Sequence, residues 1–498
     1  QAREAIESTG PGPVLLVGSS LGGFVAVHAA AQDQTGRVER LALMAPAFEV
    51  FSEHKIYLMS QAANDLNLTF VVDEDQADRL IGKLHGELFS QHGNQQLFGD
   101  SWKETFKKHE MIGRNIRDTW WNKKRDALLA LAKHTTPLYV YDEETIENRI
   151  FNLKNLKGAD RIFYSIKANA NAELIKKVES LQIGFECVSQ GEIKKIISVL
   201  PKIDRKRIIF TPNFVGKEEY AFALSEGILV TLDNIDPLEV WKDLFRGKEI
   251  FLRIDPGHGK GHHKYVHTAG IKSKFGILPS EIERLKLAVN SCGARVVGLH
   301  AHVGSNIFEA ETWSETAYFL AEFSKHFSHI KVLDLGGGLG VAERFGTLPL
   351  DLALVDERLC AFKKEHPQFE VWIEPGRTIV AEAGILLAAV TQRKKKEDYE
   401  YVGINAGMNV LIRPALYGAH HEIVNLSKLD SSEHVVATIV GPICESGDVL
   451  GYERKIATPH EGDIILIDTA GAYGRVMSSE YNQRGLCAER FLEKKSDH

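Results

Sequence analysis

From about Thr136 onward, short apolar runs alternate with longer amphipathic stretches: LYVYD, RIFYSIKA, GFECVS, RIIFTP, LVTLD, IFLRIDP, VVGLHAHVG, KVLDLGGG and VWIEPG. Runs of this length with helical periodicity between them predict repeated βα units around a parallel sheet. The number of runs favours a (β/α)8 barrel over residues 136–384, followed by an all-β domain over 385–498. There the pattern changes to strands without long helices: ILLAAVTQRKKKE, YEYVGINAG, HVVATIVGPI, DIILIDTA. LYVYD at 138–142 is expected to lend that domain a strand.

Residues 1–135 follow a different rhythm. Val14-Leu15-Leu16-Val17 leads into Gly18-Ser19-Ser20-Leu21-Gly22 and an Ala-rich helix. This strand, sharp turn and helix resemble the nucleophile elbow of α/β-hydrolases, with Ser20 at the nucleophile position. The pattern stops near Pro46, leaving an acid and a histidine no scaffold, so residues 1–48 read as a structural α/β remnant. Residues 49–92 contain LMSQAANDLNLTFVVDEDQADRLIGKLHGELF, a strand, an acidic cap and an amphipathic helix. They resemble the end of an aspartokinase ACT region. Residues 93–135, with Trp102, Trp120, Trp121 and basic neighbours, read as a helical linker.

Composition narrows the function class. Among 498 residues, 60 Lys+Arg stand against 67 Asp+Glu for a net charge of −7, so the basic footprint of a nucleic-acid binder is missing and a small-molecule partner is expected. No apolar run is long enough to span a bilayer. Five scattered cysteines suggest neither a disulfide framework nor a metal site and fit a reducing cytoplasm.

Candidate chemistry sits where barrel strands end, the face on which active sites of parallel barrels form. Lys167 closes the run Tyr164-Ser165-Ile166-Lys167; burial there is expected to lower its pKa and suit it to form a Schiff base. Gly336-Gly337-Gly338 follows the strand VLD, and residues without side chains let backbone N–H groups converge on a phosphate. His302 and Ser305 end another strand, as Glu374, Gly376 and Arg377 end VWI. Arg413 and Tyr417 in RPALY offer a guanidinium and a phenol, a pairing suited to a carboxylate.

In order, SIKAN, HVGS, GGG, EPGR, GPICESGD and AGAYG over residues 130–495 resemble the fold-type III pyridoxal-phosphate decarboxylases, most closely the diaminopimelate decarboxylases. Some relatives of this kind look like fusions with aspartokinase, which fits the ACT-like stretch. The resemblance implies pyridoxal 5′-phosphate on Lys167 and decarboxylation of meso-2,6-diaminopimelate to L-lysine. It implies that Glu374 meets the pyridine nitrogen, that His302 stacks on the ring, and that Ser305, Gly337, Gly338, Gly376, Arg377 and Tyr473 hold the phosphate. Arg377, Arg413, Tyr417 and Tyr473 would meet the substrate, with Glu445 on its distal ammonium. Cys444 would return a proton from the neighbouring subunit, so a homodimer with shared sites is implied. Glu186 and Lys274 also fall on family motifs, without an assigned role.

Three other readings stay open. Another decarboxylase of the class, acting on ornithine, arginine or carboxynorspermidine, is disfavoured by Arg413 and Glu445. A non-catalytic homologue is disfavoured by the presence of Lys167, Glu374 and Cys444. A serine hydrolase centred on Ser20 comes last.

Overall fold

The computed structural model describes residues 116–257, 273–397 and 399–493, together with five short strands outside those spans. The chain divides into two compact units, residues 1–111 and 112–498. In the first unit, Val14–Gly18 pairs in parallel with Val38–Leu43, and Ile56–Gln61 pairs antiparallel with Leu68–Val72. Ser20 and the helix expected in the ACT-like stretch lie outside the described residues.

In the second unit eight parallel strands close into a barrel: β1 (Arg161–Ser165), β2 (Gly184–Cys187), β3 (Ile208–Phe210), β4 (Leu229–Leu232), β5 (Glu249–Arg253), β6 (Arg295–His300), β7 (Val332–Asp334) and β8 (Glu370–Ile373). Each strand pairs with the next in sequence, and β8 returns to β1 through Trp372 opposite Arg161 and Ile373 opposite Ile162. Intervening helices start where the sequence supplies an acceptor for orphan N–H groups. The Asn171 side chain accepts from Glu173 N–H, Ser189 from Glu192, and Asp351 from Ala353 and Leu354. Each such cap stabilises its helix by about 1 kcal/mol. Gly293, in a left-handed conformation at φ 74°, ends the helix Ile282–Cys292.

Strand alternation divides the barrel interior into two layers. The lower layer is an apolar plug of Phe163, Ile209, Phe251, Val332 and Trp372, with Trp372 tilted 5.0 Å from Phe163 and 5.3 Å from Phe251. A Cβ on Gly298 would fall 2.4 Å from the Phe251 ring, so only glycine leaves room for the plug there. Two residues further along the same strands, on the same face, come Glu186, Arg253, His300, Asp334 and Glu374, all buried. A polar layer therefore lies on the apolar plug, at the strand ends where loops and cavity begin.

The β domain pairs strands in the order Ile423–Asn425, Ile464–Ile467, Gly384–Lys396, Tyr399–Ile404, His434–Val440, Val449–Ala457. Leu138–Asp142 joins it between Gly384–Lys396 and Ala488–Leu492, as expected of LYVYD. The described end of the helical linker is no free tether. Trp121, Leu128 and Ala132 pack with Leu138, Val140, Ile385, Leu387 and Leu466, while Trp120 Nε1 donates to the Glu382 carbonyl at 2.9 Å. Among the described residues, no helix is long and apolar enough to cross a membrane.

Candidate active site

Through Glu374 the polar layer reaches a cavity of about 350 Å3 at these strand ends. Lys167 sits in a single turn, Ile166–Ala168, directly after β1. That turn is fixed by Tyr164, whose hydroxyl donates to the Asn169 carbonyl at 2.9 Å, and by Asn169 Nδ2 donating to the Gly471 carbonyl at 3.0 Å. Lys167 Nζ donates to Glu186 Oε2 at 2.8 Å, and Thr211 Oγ1 donates to the other oxygen of this fully buried carboxylate. Burial alone disfavours the ammonium, as the sequence suggested. The Glu186 and Glu374 carboxylates outweigh it and raise the lysine's pKa above its ordinary value, which corrects the expected direction.

Across the floor, His300 Nε2 lies 3.2 Å from Glu374 Oε2. Burial, reinforced by Arg253, pushes the His300 pKa well below normal, so the ring is neutral. Burial raises the Asp334 carboxyl far above its ordinary range, with the Glu374 charge adding to the effect. Glu374 is also raised by burial but is held back by Lys167 and Arg253. The two carboxyls thus carry one proton between them, on the Asp334 side.

The glycine loop after β7 closes one wall. Gly336 and Gly338 take φ of 65° and 87°, and a Cβ on Gly337 would fall 2.3 Å from the Glu374 carbonyl. Trp313 Nε1 donates to the Gly337 carbonyl at 3.0 Å, and Gly337 N–H donates to His302 Nδ1 at 3.2 Å. Burial, then Arg253, keeps His302 neutral as well. Arg377 Nη2 donates to Ser305 Oγ at 3.1 Å, and its guanidinium lies 5.1 Å from the centre of the Tyr473 ring.

Lys167, His302, Ser305, Gly337, Gly338, Glu374, Gly376, Arg377, Arg413, Tyr417 and Tyr473 all line this cavity. Cys444 and Glu445 do not. They stand exposed on the Gly441–Asp448 loop, pinned from within by buried Asp448, which accepts from Ile443 N–H at 2.7 Å. Cys444 N–H donates to Asn482 Oδ1 at 2.9 Å, and Tyr481 donates to Glu445 Oε1 at 2.7 Å. Sequence reasoning missed Arg253, His300, Asp334 and Glu343, and gave Glu186 no role. For Arg253, His300 and Asp334 the one local signal was a charged or imidazole residue closing an apolar strand, since a buried charge there requires a partner, and for Glu343 there was none.

A family model for the pyridoxal binding domain of pyridoxal-dependent decarboxylases matches residues 143–381. A model of the alpha/beta hydrolase fold matches residues 1–142, extending beyond the 1–48 stretch read as hydrolase-like and across the ACT-like stretch. Diaminopimelate decarboxylase of Archaeoglobus fulgidus is 32% identical over 368 residues, covering 71% of this chain and 87% of the relative. That of Campylobacter jejuni is 34% identical over 370 residues, covering 72% and 91%. The crystal structure of diaminopimelate decarboxylase from Helicobacter pylori complexed with L-lysine superposes with a TM-score of 0.69 at 30% identity, covering 74% of this chain and 94% of that one.

Proposed function

The chain belongs to the diaminopimelate decarboxylases, and from that membership we propose which of its residues carry the conversion of meso-2,6-diaminopimelate to L-lysine and CO2. The enzyme is a pyridoxal-phosphate-dependent carboxy-lyase.

The cavity fits the cofactor on three counts. Lys167 brings a primary amine to its floor. Buried Glu374 Oε1 and Arg377 Nε have no partner among the described residues. The Gly336–Gly338 loop leaves backbone with no side chain between it and the cavity. Lys167 would hold the cofactor covalently, Glu374 would take the ring nitrogen, His302 would lie against the ring, and Ser305, Gly337, Gly338, Gly376, Arg377 and Tyr473 would hold the phosphate. When bound, pyridoxal phosphate supplies the sink for the electron pair left behind as CO2 departs.

The protein's own groups prepare that step. Beside Glu186, neutral His300 and protonated Asp334 leave Glu374 charged, fixed in place and largely buried. Glu186 holds the Lys167 amine in position and carries charge opposite to it. Arg377, Arg413 and Tyr417 hold the distal carboxylate, and Tyr473 closes that side of the substrate. Glu445 meets the distal ammonium, and Cys444 returns the proton. Both come from the exposed loop of a second copy, making a homodimer with shared sites. The five cysteines are all free thiols, which suits a reducing cytoplasm.

The observation that carries this assignment is the convergence of Lys167, Glu374 and the Arg377/Arg413 pair on one cavity. The test is a comparison of substrates with the cofactor-loaded full chain. L-lysine and CO2 are expected from meso-diaminopimelate, with ornithine and arginine far slower because they leave the arginines unpaired. Faster turnover of ornithine or arginine overturns the assignment of Arg413 and Glu445.

A further inference from the structure

Arg377 and Arg413 bring two like charges together in a buried corner, each facing the cavity. Isolated, the pair would be costly, because removal from water disfavours each charge and proximity sets one against the other. Glu343, on the loop beyond the glycine turn, resolves this. Its Oε1 accepts from Arg413 Nη2 at 2.6 Å and from Arg377 Nη1 at 3.2 Å. Its carboxylate is largely buried, and although burial opposes the charge, the two guanidiniums hold its pKa below the usual carboxylate value. The arginines line the cavity and Glu343 does not, so it supports them from behind and leaves their inward edges to a ligand.

A second contact fixes the rest of the geometry. Arg413 Nη1 lies 3.0 Å from His421 Nε2, and His421 Nδ1 lies 2.8 Å from the Asp468 carbonyl. A carbonyl can only accept, so the hydrogen belongs on Nδ1 and Nε2 accepts from Arg413. Burial and the adjacent guanidinium push His421 down to about 3, so it stays neutral and keeps that tautomer. Arg413 is thus held at both terminal nitrogens, and Arg377 is held by Glu343 and Ser305.

We propose that Glu343 is a positioning residue that locks Arg377 and Arg413 into one receptor for the distal carboxylate of the substrate. The inference rests on the function proposed above. Two guanidiniums and one carboxylate leave a net positive charge, which Arg377 would offer to the cofactor phosphate and Arg413 to the substrate carboxylate. A ligand lacking that carboxylate leaves Arg413 without an anion on its cavity side. Glu343 thereby sets specificity without touching the substrate.

The experiment compares Glu343→Ala, Glu343→Gln and Glu343→Asp in the cofactor-loaded full chain. Loss of two charge-assisted hydrogen bonds should raise KM for meso-diaminopimelate roughly 10- to 100-fold in Glu343→Ala while kcat stays within about threefold. Glu343→Gln keeps an acceptor without the charge and should fall between the wild type and Glu343→Ala, while Glu343→Asp should recover part of the loss. L-lysine bound as product keeps the distal carboxylate and should weaken together with diaminopimelate. Cadaverine is the same diamine without that carboxylate, so its dissociation constant, read from the visible absorption of the cofactor rather than from turnover, should stay within about twofold. Equal weakening of cadaverine and diaminopimelate makes Glu343 a structural residue and overturns the proposal, as does an unchanged KM. If Glu343→Ala fails to fold, Glu343→Gln carries the test alone. A wild-type chain that does not decarboxylate meso-diaminopimelate overturns the functional reading first, and this proposal with it.

Discussion

At the floor of the cavity Glu186, Asp334 and Glu374 are buried beneath Lys167, whereas on the Gly441–Asp448 loop Glu445 and Cys444 stand in solvent. Both regions are held by hydrogen bonds, but in different ways. The floor is fixed because buried polar atoms must find partners, as Glu186 does with Lys167 and Thr211. The loop is fixed by its own buried Asp448 and by contacts from Asn482 and Tyr481, while the side chains at its tip face outward. The difference teaches that the floor is complete within one chain. On the function proposed above, the loop presents its chemistry to the site of a second copy. Four measurements probe that contrast.

The largest effect is expected at the floor. Lys167→Ala should abolish turnover, because among the described residues no other lysine lines the cavity. Borohydride reduction of the wild type followed by peptide mapping should place the pyridoxyl group on Lys167. A label on another lysine refutes the assignment.

The second measurement asks whether floor and loop act across subunits. When Lys167→Ala and Cys444→Ala chains are unfolded, mixed equally and refolded, random pairing makes about half the dimers mixed, each with one intact site. Activity should recover to roughly a quarter of wild type. A mixture no more active than the average of its parents places both groups in one chain and breaks the contrast.

Next in size is the carboxylate corner. Arg413→Ala should raise KM for meso-diaminopimelate by roughly one to three orders of magnitude and narrow its preference over cadaverine, which lacks the distal carboxylate, since it removes a charge-assisted contact and leaves Glu343 with one guanidinium. Steady-state kinetics with cadaverine as inhibitor checks this. Unchanged discrimination moves the carboxylate site elsewhere.

The smallest effect isolates burial itself. His421 titrates at about 3 in the folded chain, below its ordinary value, so at intermediate pH the unfolded chain binds a proton that the folded chain refuses. Its contribution to stability is therefore complete above about pH 6.5 and is lost as pH falls toward the folded value, with a slope of up to ~1.4 kcal/mol per pH unit. Urea unfolding of His421→Gln across that range should show a shallower acid loss than wild type. An equal slope assigns the acid sensitivity to other groups.

Much of this was legible in the sequence because barrel strands announce themselves locally. VWI and VLD show their apolar alternation in a few residues, and the groups at their ends, Glu374 and the glycines, read directly as chemistry. LYVYD was separable from the barrel strands because the strands after Gly384 needed partners. The polar layer was not legible. Arg253, His300 and Asp334 occupy ordinary strand positions, and their importance arises only when barrel closure sets them beside Glu186 and Glu374, distant in sequence. The direction of the Lys167 shift was misread for the same reason, since burial is a local inference and the opposing carboxylate on β2 is a tertiary one. Glu343 carried no motif, and its meaning depends on two arginines from different domains.

That last arrangement bears on how such a protein can be inherited. Glu343 and Arg377 belong to the barrel, while Arg413, His421 and the Asp468 carbonyl belong to the β domain. The preference for an acid-bearing substrate is thus written half in each module. A gene shuffled at the boundary near Gly384 would keep Lys167, Glu374 and Arg377 but inherit foreign residues in place of Tyr473 and of the β-domain partner of Glu343. Descendants of such an exchange would have to drift in both halves together before they recovered a choice of substrate.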